Sequence, residues 1–150
     1  MNELKKISIK ISRLSIFILL TVTINGCSSL TSNERLFDQL GGQAGIELLT
    51  DKFIEEIQYD KDVMPYFLKT DVSRFRQKFV EQICMLSNGP CQYTGDSMED
   101  VHSGMEINQR HFNAIVDDLI MAMESINLPV TTQNRLLNLL APMRKQIIYR

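Results

Sequence analysis

At 150 residues, 44% of them hydrophobic, the chain has material for one modest core rather than several domains. Its formal net charge of −2, with no basic stripe and no interleaved aromatic patch, points away from nucleic acid. Two histidines, His102 and His111, with no nearby cysteine pair do not build a zinc site by themselves.

The first element is not part of a fold. Residues 1–26 carry a basic start (Lys5, Lys6, Lys10, Arg13) and an apolar segment from Leu14 to Ile24, the layout of a secretory signal peptide. That apolar segment is too short to span a bilayer. Ile24-Asn25-Gly26-Cys27 resembles a bacterial lipobox, which implies cleavage after Gly26 and diacylation of Cys27. An uncleaved anchor, or an ordinary secretory signal with an incidental cysteine, are the competing readings. Ser28 after the cysteine favours the outer membrane of a cell envelope that has one. Losing residues 1–26 removes those four basic residues and Glu3, so the formal charge moves from −2 to −5. Residues 27–34 read as a polar tether, and 35–150 as a single domain.

Within the domain no apolar alternation bounded by turn signals reads as a strand. Leu36, Phe37 and Leu40 mark a short helix stopped by Gly41-Gly42. Ile46, Leu49, Phe53 and Ile57, spaced by three and four, predict a longer one. "DKDVMPYFL" reads as a single helical turn because of Pro65. Asp71 or Ser73 then caps a helix bearing Phe75, Phe79, Ile83 and Leu86, which ends at Asn88-Gly89-Pro90. "CQYTGDSMEDVHSG" is mostly loop, with one helical turn around Met98 to Ser103. Asn108 caps a helix whose apolar face is Phe112, Ile115, Val116, Leu119, Ile120 and Met123, and which ends near Asn127 before Pro129. Thr131 or Thr132 caps the last, with Leu136, Leu137, Leu140, Met143 and Ile147 on one stripe and a bend at Pro142. The prediction is an all-α domain of five or six helices. An exported domain permits a Cys84–Cys91 disulfide, but spacing alone does not establish it, and two unpaired thiols, one buried and one in the loop, are the competing reading.

The ordered set "LFDQLGGQAGIELL", "MPYF", "SRFRQKFVEQI", "NGPCQYTGDSMEDVHSGMEI" and "RHFNAIVDDL" resembles the group-one truncated haemoglobins, the two-over-two globins, over residues 35–148. The resemblance implies two antiparallel helix pairs sandwiching a haem b, with His102 as the proximal iron ligand. An imidazole suits that role if its other ring N–H has an acceptor such as a backbone carbonyl. On its own short window His102 would read as a surface histidine in an acidic loop. His111, which opens a core-packed helix, is read as structural. Phe67 matches a phenylalanine that wedges against the porphyrin face, and Phe53, Val101, Ile107 and Phe112 are expected as pocket walls; core packing explains them too. Arg74 and Lys78, one turn apart, fit cations that meet haem propionates, or a solvated face.

The distal side departs from the family pattern. Many group-one members place tyrosine and glutamine where this chain has Ile54 and Phe79, and Phe75 stands where globins often carry a distal residue. A hydrogen bond to a partly charged bound oxygen contributes about 1.5–3 kcal/mol, so its loss would speed oxygen escape about ten- to a hundredfold. Gln58 and Gln82 are the nearby side chains that a rearranged pocket could use; Tyr59 is expected to point elsewhere.

The leading functional expectation is a lipid-anchored haem protein that reversibly binds oxygen, nitric oxide or carbon monoxide. Nitric oxide dioxygenase or peroxidase-like turnover is the enzymatic alternative. It needs an electron donor from elsewhere, because no glycine-rich flavin or nicotinamide motif is present. A haem-free helical scaffold of the cell envelope is the third reading.

Overall fold

The computed structural model describes residues 34–150, so the expected signal segment, Cys27 and nearly all of the tether lie outside the described residues. Among the described residues there are eight α-helices, one 3-10 turn and no strand. They are α1 (Leu36–Gln39), α2 (Gly42–Tyr59), α3 (Met64–Phe67), α4 (Val72–Leu86), α5 (Met98–His102), α6 (Gln109–Ser125), α7 (Val130–Leu140) and α8 (Arg144–Ile147). None is long and apolar enough to cross a membrane. The count exceeds the expected five or six because the expected single turns at α3 and α5 are short helices in their own right, and because α8, expected as one bent helix with α7, is separate.

Two glycines fix the first corner. Gly41 takes a left-handed φ of 86°, which lets α1 stop and α2 start within a few residues. A Cβ on Gly45 would run into the carbonyl of Leu40, so only glycine permits this close approach of α2 to the end of α1. From there α2 buries Ile46, Leu49, Phe53 and Ile57 on one stripe and packs on both α4 and α6. Thr50, fully buried within that stripe, donates its hydroxyl to the Ile46 carbonyl at 2.8 Å.

Local signals account for the other ends. Asp71 caps α4, its carboxylate accepting from the Arg74 N–H at 3.0 Å. Asn108 caps α6, accepting from the N–H groups of Arg110 and His111 at 2.9 and 3.1 Å. That helix stops at Ser125, two residues before the predicted end. Asn127 there adopts a left-handed φ of 57°, and the Leu128 N–H reaches back to the Met123 carbonyl at 3.1 Å. The start of α7 differs from prediction: Pro129 occupies the cap position without a side-chain bond, and Thr132 is buried inside the first turn. The fixed φ of proline is already suited to a helix start, so no threonine cap is required. At Pro142 the chain does more than bend. Lacking an N–H, the proline turns Ala141–Met143 into a 3-10 turn that separates α7 from α8.

Helix α4 has two working faces. Val80, Ile83 and Cys84 enter the core formed with Leu36, Leu40, Ile46, Leu49, Leu119, Met123 and Leu136. Phe75 and Phe79 are half-buried on its other face. Cys84 and Cys91 are joined by a disulfide that closes the turn after α4. The C-terminal tail returns to the segment after α5: the Glu106 N–H donates to the Arg150 carbonyl at 3.0 Å and the Tyr149 N–H to that of Ile107 at 2.8 Å. Helix α8 packs on α5, so the tail braces the helix that carries His102.

Candidate functional site

The half-buried face of α4 looks onto a cavity of about 380 Å³, within the usual range for small-molecule and cofactor sites. Its walls come from α2, α3, α4, α5, α6 and the α7–α8 corner. Of the residues predicted to form a pocket, Phe53, Phe67, Arg74, Phe75, Lys78, Phe79, Val101, His102, Ile107 and Phe112 all line it. Ile54 does not: it is half-buried on α2 and absent from the wall. One residue along an α-helix is a rotation of about 100°. The stripe that buries Phe53 and Ile57 therefore turns Ile54 aside.

The aromatic wall is continuous. Phe53 and Phe79 have ring centroids 5.0 Å apart, Phe75 stacks on Phe79 at 5.8 Å, and Phe67 meets Phe75 edge to face at 5.0 Å. His102 lines the same cavity. Its Nδ1 lies 2.7 Å from the carbonyl oxygen of Met98, one turn earlier in α5. A carbonyl only accepts, so Nδ1 carries the proton and Nε2 keeps its lone pair. Burial holds the imidazole pKa below its ordinary value, against the opposing pull of the Met98 carbonyl, which keeps the ring neutral at pH 7.

His111 also lines the cavity, but both of its ring nitrogens are engaged. Nδ1 is 2.5 Å from the Tyr66 hydroxyl and Nε2 is 3.2 Å from Arg110 Nη2. Arginine only donates, so Nε2 accepts and Nδ1–H faces Tyr66. The two histidines thus differ in the one property that matters for a metal, a free ring nitrogen.

The rim is charged. Arg74 pairs with Asp96 at 3.2 Å, and both side chains are largely exposed. Lys78 pairs with Glu81 at 2.9 Å. Glu81 also accepts from the Thr94 hydroxyl at 2.8 Å and the Thr94 N–H at 3.1 Å. Lys78 first and Thr94 second hold the Glu81 carboxyl down to about 2. Tyr93 donates to the Asp96 carbonyl at 2.8 Å and completes this edge of the cavity.

Sequence reasoning missed Tyr66, Tyr93, Met98 and Met143 as wall residues. Tyr66 adjoins Phe67, and Met98 lies one turn before His102, so spacing held a signal for both. Met143 lies on the apolar stripe of the last predicted helix, and that stripe did not say it would face this cavity. Of the two glutamines considered, Gln58 is exposed, whereas Gln82 lines the cavity and is 8% exposed. Tyr59 is 78% exposed and lies away from the cavity.

The groups present suit a flat aromatic cofactor with a metal: a neutral imidazole with an unengaged nitrogen, a run of phenylalanine rings, and cations among the lining residues. Comparison with known proteins agrees with this chemistry. The chain is 29% identical over 112 residues to the group 1 truncated haemoglobin GlbN of Mycolicibacterium paratuberculosis, covering 75% of this chain and 82% of that one. It is 36% identical over 88 residues to GlbN of a Nostoc species, covering 59% and 75% respectively. Among solved structures, the truncated haemoglobin of Tetrahymena pyriformis in its Fe(III) form matches with a TM-score of 0.75 at 23% identity. That match covers 78% of this chain and all of the other. The 2/2 haemoglobin of a Synechococcus species, solved with covalently attached haem, gives 0.72 at 22% identity over the same shares. These likenesses establish the two-over-two helical fold. The family model for bacterial-like globins matches residues 35–149, and the chain belongs to that family.

Proposed function

We propose that this chain is a haem-b protein that reversibly binds a diatomic gas (oxygen, nitric oxide or carbon monoxide), the iron being held through His102 Nε2. The observation that carries the reading is the pairing of His102 Nδ1 with the Met98 carbonyl, which leaves Nε2 as a donor at the cavity wall. When bound, haem would supply an iron able to take an imidazole nitrogen and a small gas as ligands.

The side chains support the rest. Phe67, Phe75 and Phe79 present apolar ring faces that exclude water from the gas side and leave it poor in donors. Arg74, largely exposed and paired only with the equally exposed Asp96, is free to exchange that partner for a propionate. Lys78 is the less available of the two cations, being shared with Glu81. The Tyr66–His111–Arg110 contacts hold His111 away from metal binding.

Titrating the purified chain with haem tests this reading. It predicts saturation at one haem per chain with a Soret band; a chain that develops none contradicts it. Lipid attachment at Cys27, and with it a place on the envelope face of a bacterial membrane, is the second part of the proposal, supported by the lipobox-like sequence alone. Cys27→Ser should move the protein from the membrane to the soluble fraction, and continued membrane association would refute the anchor.

A further inference from the structure

A second pocket lies between the end of α2, the turn that follows it and α6, and it shares no lining residue with the His102 cavity. Its walls carry four carboxylates, Glu56, Asp60, Asp62 and Asp118, against one cation, the exposed Lys61. Asp62 is spent on Arg110, and one oxygen of Asp60 accepts from the N–H groups of Asp62 and Val63 at 2.6 and 3.2 Å. Once Asp118 is ionised, even with Arg110 included, negative charges outnumber positive ones by two. The backbone adds to this imbalance. The C-terminal end of a helix is negative, and the last turn of α2 holds no basic residue.

Asp118 is the group left incomplete. It is 1% exposed, it lines this pocket, and its Oδ2 has no hydrogen-bond partner. A buried polar group is ordinarily hydrogen-bonded, and a buried charge is ordinarily paired. Burial first, and then Asp60, Glu56 and Asp117, push its pKa up to about 6, so at pH 7 the carboxyl is mostly ionised. The missing partner is therefore a cationic donor. Among the described residues no three His, Cys, Asp or Glu side chains are grouped to hold a metal ion. What flanks the carboxylates suits an organic cation instead. The Tyr59 side chain, 78% exposed, offers a ring face, and the exposed Met121 a flexible thioether chain.

We infer that this pocket binds a small organic dication of the diaminoalkane class, one ammonium group donating to Asp118 and the other to Glu56 and Asp60, with the carbon chain against Tyr59 and Met121. An ammonium group carries three donors and no acceptor, the complement of an ionised carboxylate, and two of them match the excess charge of the site. The inference does not depend on the haem reading.

Calorimetric titration of the full chain with diaminopentane, at constant ionic strength and at pH 8 and pH 5, tests it beside Asp118→Asn and Glu56→Gln. Saturation at one diamine per chain is expected at pH 8. Binding should weaken about tenfold at pH 5, where Asp118 holds its proton, and by about tenfold or more in Asp118→Asn. Glu56→Gln should weaken it about three- to tenfold, and pentylamine, with a single ammonium, should bind about tenfold more weakly than the diamine. No saturable binding at pH 8, or equal binding by wild type and Asp118→Asn, would overturn the site. Magnesium or calcium ions that bind more tightly and displace the diamine would assign the pocket to a metal and overturn it as well. A Soret band of the haem-loaded chain that shifts in step with the titration would place the amine on the iron, with the same consequence.

Discussion

Two regions of the molecule are held together by different physics. The body made by α2, α4, α6 and α7 is fastened by buried apolar side chains: Ile46, Ile83, Ala122, Met123 and Leu136 have no measurable exposure. In the strap that runs from Asn88 to Glu106 and carries His102, no residue is fully buried. Polar contacts and covalent closure hold the strap instead. The disulfide anchors its start, Thr94 binds Glu81, the Ser97 side chain caps α5 by accepting from the Asp100 N–H at 3.1 Å, and Glu106 binds Arg150. Apolar burial is non-directional, whereas each of these contacts fixes one group in one orientation. The body thus supplies stability, and the strap supplies the aim of a single imidazole.

This division predicts separable failures. Leu49→Ala opens a void in the body and should cost about 2–5 kcal/mol by denaturant unfolding, while the folded fraction keeps an unchanged haem spectrum. Reducing the Cys84–Cys91 bond, which closes a loop of sequence separation 7, should cost about 2.5 kcal/mol on the chain-entropy account. Its second signature is local: hydrogen exchange should accelerate in α5 and the strap far more than in α2 or α6. Equal acceleration everywhere would erase the distinction between the two regions.

Asp118 sharpens the comparison from within the body. It sits on α6, 1% exposed, with Oδ2 lacking any hydrogen-bond partner. Burial first, then Asp60, Glu56 and Asp117, push its pKa up to about 6 from an ordinary 3.8. The folded state therefore holds this proton more tightly than the unfolded chain does. The stability it contributes is complete below the unfolded value of 3.8 and is lost as pH rises through about 6. Asp118→Asn should flatten that dependence, gaining about 1 kcal/mol at pH 8 and almost nothing at pH 4. Two unfolding curves at each pH check the sign.

The body was the easier region to read from the amino-acid sequence. Its stripes repeat every three or four residues, so Ile46, Leu49, Phe53 and Ile57 announce their helix and its buried face together. The family pattern is less exact at the level of a single residue: aligned without a gap it points to Ile54, whereas Phe53 is the residue of α2 that lines the cavity. The strap has no period to detect. Resemblance to a family, and not spacing, singled out His102, and nothing in the sequence linked Glu106 to Arg150 or brought Met143 to Gln82. Contacts between residues dozens of positions apart leave no local mark. The disulfide lies between these cases: seven residues of separation allow it, and only the turn at Asn88, with its left-handed φ of 65°, brings the sulfurs together.

The central claim is that the strap aims one imidazole at a bound iron while the other imidazole is structural. The optical spectrum of reduced, haem-reconstituted protein, recorded with and without carbon monoxide, tests it most directly when His102→Ala and His111→Ala are compared with wild type. Wild type and His111→Ala should give the spectrum of a five-coordinate ferrous haem that shifts on adding the gas, and His102→Ala should fail to retain the haem. Retention of an unaltered spectrum by His102→Ala, with its loss in His111→Ala, would contradict the account.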